Sequence, residues 1–288
     1  MKRIIYSLLC ILSLTSCESF FVKDVKVEVE DYPPGLALIA NWDYPDLINQ
    51  EVSAFVSTAK PILGEDPTLV ISPDVTIQSK SDSWVMKKDN ANLSYFYQLP
   101  MSTKVGDEII LKVKSPGFED LESRQIILDS VPIKKIEIVE NGFTNIDGYK
   151  EDLIKVNIDD PVAQNYYKIE LYIVDTSNQN VYPLSARKWS TLGEQDEEYP
   201  SELTFTDELF NGKNFNLTMI SNIFVANGLL LVRLSNISQD QYLYLSSKNK
   251  SNNALNNPFS EPVNIHQNVK NGYGIFSIST VTFGSIPI

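Results

Sequence analysis

The chain alternates short apolar runs with turn residues over most of its length. Runs in which polar and apolar positions repeat every two residues are typical of strands that bury one face. Their regular spacing in the first half predicts an immunoglobulin-like β-sandwich over residues 25–131. The predicted strands there are Val25 to Val29, Leu36 to Trp42, Val52 to Ser57, Val75 to Lys80, Leu93 to Leu99, Asp107 to Lys114 and Ile126 to Leu128.

Strand signals resume after Ser130-Val131-Pro132, where a proline separates two apolar runs, and we predict a domain boundary there. The second domain, residues 132–288, is predicted to be mostly β because its apolar runs are rich in Val, Ile, Tyr and Phe. A turn is predicted at Asn141-Gly142, and residues 175–200 hold no sustained pattern, which indicates an irregular surface segment. The predicted strands are Ile133 to Glu140, Leu153 to Ile158, Tyr166 to Val174, Leu203 to Thr206, Asn214 to Ile220, Leu229 to Leu234 and Ile275 to Phe283.

One segment near the C-terminus departs from the strand pattern. Ser238 is followed three positions later by Gln241, which is the capping-box spacing at the start of a helix. Tyr242 and Leu245 supply apolar side chains behind the cap, and a short helix is predicted near residues 239–250. The fold class is therefore all-β, with an N-terminal immunoglobulin-like β-sandwich followed by a second mostly β domain that carries one short helix.

The first residues have the pattern of an export signal. Two basic residues precede an apolar run from Ile4 to Leu14, which is shorter than the roughly 20 apolar residues that cross a bilayer. The four residues from Leu14 to Cys17 resemble the bacterial lipobox, in which the cysteine sulfur receives a diacylglycerol and the new amino terminus is usually acylated. We therefore predict a signal peptide over residues 1–17, lipidation (palmitate) at Cys17 and a tether over residues 18–24.

Lipid at Cys17 implies a membrane location. Two or three acyl chains hold a protein stably at a bilayer, whereas a single chain binds only marginally. Glu18 replaces the Asp that retains many lipoproteins in the inner membrane, which favours the outer membrane. The alternative is an ordinary secretory signal with Cys17 as a free thiol, although no A-x-A-like cleavage site lies beside this residue.

Composition narrows the chemistry available to the body of the protein. The chain has 24 basic and 37 acidic residues and a net charge of −13, so its surface repels nucleic-acid phosphates. Its two cysteines are Cys10, inside the signal, and Cys17, which leaves no thiol for a disulfide, a metal site or a nucleophile. His266 is the only histidine, which excludes zinc motifs with two histidines, and we predict no cofactor.

The most recognisable motifs lie in the C-terminal third and in the middle of the chain. They are the strand Leu231 to Leu234, the helix with Tyr242 and Tyr244, Asn257-Pro258-Phe259, Asn268 to Phe276, Asp160-Pro161, Tyr166-Tyr167 and Phe205 to Gly212. Together they resemble the domain of unknown function 4249 family, exported lipoproteins of Bacteroidetes. Family members usually read Gly-Ile-Phe-Gly, whereas this chain has Gly274-Ile275-Phe276-Ser277.

The resemblance implies a location and a partner rather than a reaction. Such lipoproteins are often encoded beside TonB-dependent outer-membrane receptors and are regarded as surface partners in uptake. The expected function is a non-enzymatic, surface-exposed outer-membrane lipoprotein that accompanies such a receptor in nutrient capture, with an unknown ligand. The alternative is a structural or assembly lipoprotein of an envelope complex, and a glycan-directed hydrolase has the least support.

Few side chains in the sequence point to catalysis. His266 has no accompanying G-x-S-x-G motif and is interpreted as an ordinary loop histidine. The stretch Asn271-Gly272-Tyr273-Gly274 lacks the lysine and the glycine spacing of a phosphate-binding loop. It predicts instead a tight turn with a positive φ at Gly272 or Gly274.

Acidic and aromatic residues offer weaker candidates. Asp159-Asp160 and the acidic run Glu194 to Glu198 lack the alternating ligands of a calcium loop, so the run predicts a solvated loop, with cation binding as the minority interpretation. Trp189 lies in the predicted irregular segment beside Arg187 and Lys188. If exposed, Trp189 would contact a ligand or partner, and if buried, it would hold the loop in place.

Overall fold

The structure of the protein is a computed structural model that describes residues 35–44, 51–59, 71–80, 82–89, 94–98, 103–188, 200–224, 227–255, 260–261 and 263–288. Within these residues the chain is mostly β with one helix near the C-terminus, which confirms the predicted fold class. Across the same ranges, no helix combines the length and the apolar character needed to cross a bilayer.

The strands and the helix are numbered in chain order. The first half holds β1 (Leu36–Tyr44), β2 (Glu51–Thr58), β3 (Asp74–Ser79), β4 (Asp82–Val85), β5 (Lys87–Asp89), β6 (Ser94–Gln98), β7 (Glu108–Lys114) and β8 (Leu121–Ile126). The second half holds β9 (Ile133–Thr144), β10 (Lys150–Asp159), β11 (Tyr166–Asp175), β12 (Val181–Leu184), β13 (Arg187–Lys188), β14 (Glu202–Thr206), β15 (Asn214–Ser221), β16 (Gly228–Ile237), α1 (Gln239–Leu255) and β17 (Tyr273–Pro287).

The described strands form one large sheet and two smaller ones. The large sheet has the order β12-β11-β16-β17-β1-β2-β6-β5, and β14 also pairs with β11. The first small sheet has the order β4-β3-β7-β8, and the second has the order β13-β15-β10-β9. Strand β8 is therefore an edge strand, which becomes important for the candidate site.

Strand β17 joins the two halves of the large sheet. Its first part runs parallel to β1, from the pair Ala37 with Tyr273 to the pair Tyr44 with Thr280. Its second part runs antiparallel to β16, beginning where Asn236 also pairs with Thr280. Seven consecutive residues, 275–281, are buried, which indicates that both faces of the strand are covered at the junction.

Two hydrophobic clusters form the core of the described residues. One draws on β1, β2, β3 and β7, and the other on β10, β11, β15 and β16. The connecting segment contributes Ile127 to the first cluster and Val131 to the second, and the Thr280 hydroxyl donates to the Leu128 carbonyl at 2.8 Å. The two domains proposed from the sequence, residues 25–131 and 132–288, stay a prediction, although one continuous sheet contains strands from both.

Helix α1 begins where the sequence predicts it and ends later. The Gln241 backbone N–H donates to Ser238 Oγ at 3.3 Å, which is the expected N-cap contact. The Gln241 side chain donates to Ser279 Oγ at 3.1 Å instead of closing the capping box. The helix extends to Leu255 because it packs on β17, β11 and β14, and tertiary packing stabilises a helix beyond its local propensity.

The predicted turn at Asn141-Gly142 is wrong. Strand β9 continues through these residues, with Asn141 at φ 51°, and a register shift against β10 marks a bulge. Asp152 Oδ1 accepts the Asn141 N–H at 2.8 Å and holds the bulge, which is a contact from another strand. The chain turns instead after Thr144, where Asn145 Oδ1 accepts two backbone N–H groups.

Two further strand predictions also need correction. The segment predicted to be irregular contains β12 and β13, which pair with β11 and β15. The strand predicted at Ile126 to Leu128 lies earlier, as β8 over Leu121–Ile126. Two of the buried positions of β8 are the polar residues Ser123 and Gln125. The sequence of β8 therefore lacks the regular apolar positions by which strands are recognised. The predicted strand Val25 to Val29 lies outside the described residues.

Candidate functional site

A cleft of about 490 Å³ opens between β8 on one side and the ends of β11, β16 and α1 on the other. We call it the seam cleft. Most of its lining residues are polar, with five amide side chains and one aromatic ring among them. The lining residues are Glu108, Arg124, Gln125, Ile126, Leu128, Gln164, Asn165, Tyr166, Asn236, Ile237, Ser238, Gln239 and Asp240.

The β8 wall of the seam cleft carries a cation held by two carboxylates. Arg124 Nε and Nη2 donate to Glu122 Oε1 at 2.9 and 2.8 Å, and Nη1 donates to Glu108 Oε2 at 3.2 Å. The hydrogen bond from Arg124 lowers the pKa of the Glu122 carboxyl group. Glu122 Oε2 also lies 3.7 Å from Lys112 Nζ, so two carboxylates balance two cations and this wall offers no excess positive charge to an anionic ligand.

The helix wall is built around Asp240, in the first turn of α1. Asp240 Oδ2 accepts hydrogen bonds from Gln125 Nε2 at 3.2 Å and Asn268 Nδ2 at 3.4 Å, and Oδ1 lies 2.9 Å from His266 Nε2. A carboxylate in the first turn also interacts favourably with the helix dipole. Asp240 thereby ties α1 to β8 and to the loop before β17.

His266 is a loop residue, as predicted, and its ring is oriented by Asp240. Its backbone N–H donates to Ser247 Oγ at 2.9 Å, which fixes the loop to α1. Within the described ranges, no hydroxyl group hydrogen-bonds to the imidazole ring. An acid and an imidazole without a bonded nucleophile form a positioning contact rather than a triad.

The floor of the seam cleft contains buried polar groups with unused hydrogen-bonding capacity. Asn165 is 8% exposed, and its backbone N–H donates to Asp207 Oδ2 at 2.8 Å. The Asn165 side chain donates to Asn236 Oδ1 at 3.5 Å, and Asn236 Nδ2 donates to the Asp129 carbonyl at 3.0 Å. Asn165 Oδ1 and Asp207 Oδ1 accept no hydrogen bond from any residue that the structure describes. Buried polar atoms of this kind are uncommon in native folds and draw attention to a site.

Comparison with known proteins identifies the family. The family model for a domain of unknown function (DUF4249) matches residues 22–284, which is most of the chain. The chain belongs to the DUF4249 family. The comparison with curated proteins finds no match for this chain.

The motifs that resemble DUF4249 proteins in the middle of the chain form a structural cluster. The Tyr167 hydroxyl donates to Asp160 Oδ1, and the Gly212 N–H donates to Asp160 Oδ2 at 2.7 Å. The Tyr167 ring lies 5.1 Å from the Phe205 ring and also stacks with Phe210. Burial and the hydrogen bond to the Asp160 carboxylate strongly raise the pKa of Tyr167. Asp160 therefore serves packing, and calcium binding is not required to explain it.

Tyr167→Phe is expected to lower the free energy of unfolding by about 1.5–3 kcal/mol, because it removes a hydrogen bond to a buried carboxylate. Tyr166→Phe is the matched control, since the Tyr166 hydroxyl has no hydrogen bond to a described residue, and we expect a change within about 0.5 kcal/mol. Chemical denaturation of the three proteins measures both values. Equal stability of the two variants would contradict the structural role of the Tyr167–Asp160 contact.

The candidates singled out from the sequence have different outcomes. Cys17, Trp189 and the acidic run 194–198 lie outside the described residues, so their roles stay predictions. Gly274 has a φ of 111°, which confirms the predicted positive φ, although Gly274 lies in strand β17 and not in a turn. Among the described residues, no group of three or more His, Cys, Asp or Glu side chains could hold a metal ion.

The seam cleft itself was not predicted from the sequence. Gln125 and Asp240 are 115 residues apart, and Asn165 and Asn236 are 71 apart, so no local pattern joins them. The only signal at these positions is indirect. Ser238 and Gln241 mark the start of α1, and Tyr166 lies in a motif of the family.

Proposed function

We propose that this DUF4249 protein is a lipoprotein anchored through lipid on Cys17 to the outer membrane, where it faces the cell surface and accompanies a TonB-dependent receptor in nutrient capture. The observation that carries the proposal is the apolar run that ends at Leu14-Thr15-Ser16-Cys17. Lipid at this cysteine would leave the β-rich body outside the bilayer, tethered through residues 18–24.

The seam cleft supports a binding role within this proposal. Its volume lies in the range of small-ligand sites, and the exposed amide groups of Gln164 and Gln239 can orient a polar ligand. The bonded arrangement of Asp240 and His266 supports binding without catalysis, since a nucleophile does not accompany it in the described part of the chain.

A second candidate, the structural or assembly lipoprotein, is favoured by an apolar patch on the large sheet. Ile39 of β1 and Phe55 of β2 are directly paired in register and are 45% and 43% exposed. Two neighbouring exposed apolar side chains suit a contact with another protein. If Phe55→Ser abolishes binding to an envelope partner and leaves nutrient uptake unchanged, this second role is favoured over capture.

Metabolic labelling with palmitate tests the anchor. We expect label in the wild type and in Cys10→Ala but none in Cys17→Ala, because these are the only two cysteines and only Cys17 would remain after cleavage. Label that persists in Cys17→Ala would exclude the proposed anchor.

Surface exposure and receptor association are tested on the same strains. Protease added to intact cells should degrade the wild-type protein, and a tagged wild type should co-purify with a TonB-dependent receptor from detergent-solubilised membranes. Protection from protease, or co-purification with envelope assembly proteins alone, would replace the capture role by the assembly role.

A further inference from the structure

The edge of β8 presents backbone hydrogen-bonding groups to the seam cleft. Glu122 exchanges two backbone hydrogen bonds with Lys270, at 3.4 and 2.8 Å, so its N–H and C=O point away from β7. In an antiparallel strand this direction repeats every second residue. The N–H and C=O of Arg124 and Ile126 therefore point toward the same open side, and both residues line the cleft.

These backbone groups have no strand partner in the described part of the chain. Ile127 confirms the alternation, because its N–H and C=O bond to Asp107 and Gly106 on the β7 side. The Arg124 side chain is held by hydrogen bonds to Glu108 and Glu122. An exposed strand edge is a template for another extended chain.

We propose that the seam cleft binds a short oligopeptide in extended conformation, which adds to the β8 edge as an antiparallel or parallel strand. This proposal rests on the proposed capture role and adds to it the class of ligand that is captured. Backbone hydrogen bonds at Arg124 and Ile126 would supply the affinity, as in other cases of strand addition. The ligand is short because the Glu122–Lys270 bridge closes one end and leaves about 10 Å of edge.

The opposite wall suits a peptide as well. Gln164 and Gln239 are exposed amides at the cleft, and Gln239 is the first residue of α1, where a backbone N–H has no partner within the helix. Amide side chains offer both a donor and an acceptor, which matches the peptide group.

The charge and the aromatic content of the cleft lining narrow the class of ligand further. The lining has Glu108 and Asp240 against Arg124, which already contacts two glutamates, so neutral or basic peptides are favoured over acidic ones. The aromatic residue in the lining, Tyr166, is 9% exposed and its ring lies 5.1 Å from that of Tyr242. Among the described lining residues, a sugar therefore finds no open aromatic face on which to stack.

Fluorescence anisotropy with the mature lipoprotein in detergent tests the inference. The probe is a fluorescein-labelled Lys-Val-Lys-Val amide, and its control carries N-methyl groups on alternate backbone nitrogens with the same side chains and charge. We expect the N-methylated peptide and the acidic peptide Glu-Val-Glu-Val to bind at least about ten-fold more weakly, because backbone donors or favourable charge are lost. Equal affinity of the methylated and unmethylated peptides, or binding of oligosaccharides in their place, would overturn the proposal.

Two protein variants give a second measure. Ile126→Pro removes a backbone N–H on the open side and should weaken binding by about ten-fold, whereas Ile126→Ala keeps that group and should change the affinity by less than about three-fold. If Ile126→Pro does not fold, Gln239→Pro removes an N–H at the first helical position, where proline is tolerated, and should weaken binding as well. A folded proline variant with wild-type affinity would refute the edge as the site. Palmitate labelling is independent of these results, so failure of peptide binding leaves the proposed anchor intact.

Discussion

Gly274→Ala is expected to destabilise the protein by more than about 3 kcal/mol. Gly274 has a φ of 111°, which side chains of L-residues rarely adopt, and a Cβ atom there would lie 1.9 Å from the Leu38 carbonyl oxygen. That oxygen belongs to the backbone of β1, which is paired with β17 along eight residues and cannot move aside without breaking the pairing. The start of β17 would therefore separate from β1.

Gly106→Ala is the matched control for this variant. Gly106 has a φ of 86°, but a Cβ atom there would meet no atom within 4 Å. Only the conformational cost remains, and we expect a loss of about 1 kcal/mol. Urea denaturation followed by circular dichroism measures the unfolding free energies of both variants. Similar losses would show that the cost of replacing Gly274 comes from backbone conformation alone and not from the contact with β1.

Phe276→Ala is expected to lower the unfolding free energy by about 3–5 kcal/mol. Phe276 is fully buried in the first hydrophobic cluster, at the point where β17 runs beside β1. Removing the ring would leave a cavity between the large sheet and the first small sheet, which packed strands fill only in part. The backbone N–H and C=O of this residue also bond to the Asn268 side chain and would be displaced with the strand.

Phe283→Ala serves as the control on the same strand. Phe283 is 39% exposed and lies beside Arg233 of β16, so its truncation should cost less than about 1 kcal/mol. Thermal unfolding of both variants at one protein concentration compares them directly. A loss at Phe283 equal to that at Phe276 would mean that the exposed face of β17 is covered by a contact outside the described residues.

Gly274→Ala and Phe276→Ala are both expected to affect the candidate site. Asn268 connects Phe276 and the Gly274 carbonyl to Asp240, which forms the helix wall of the seam cleft. A displaced β17 would loosen this wall. Peptide binding should therefore decrease in Gly274→Ala and Phe276→Ala even under conditions in which these proteins remain folded.

Alternation along the chain predicts most of the strands, because a half-buried strand needs an apolar residue at every second position. Strands β1, β2, β7, β10, β11 and β16 follow this pattern and lie where the sequence places them. The start of α1 is equally local, since Ser238 caps it through a contact three residues away. By contrast, β8 was misplaced because buried Ser123 and Gln125 occupy positions where apolar residues are expected.

By itself the sequence determined the all-β class, the start of the helix and the family, because these depend on local periodicity and on motifs within one segment. Only the tertiary structure decided that β17 joins both halves and that Asn141 lies in a bulge rather than a turn. It also decided that, among the described strands, β8 leaves an open edge beside α1. Each of these features depends on which distant strands pair, and pairing is set by the packing of the whole core rather than by neighbouring residues.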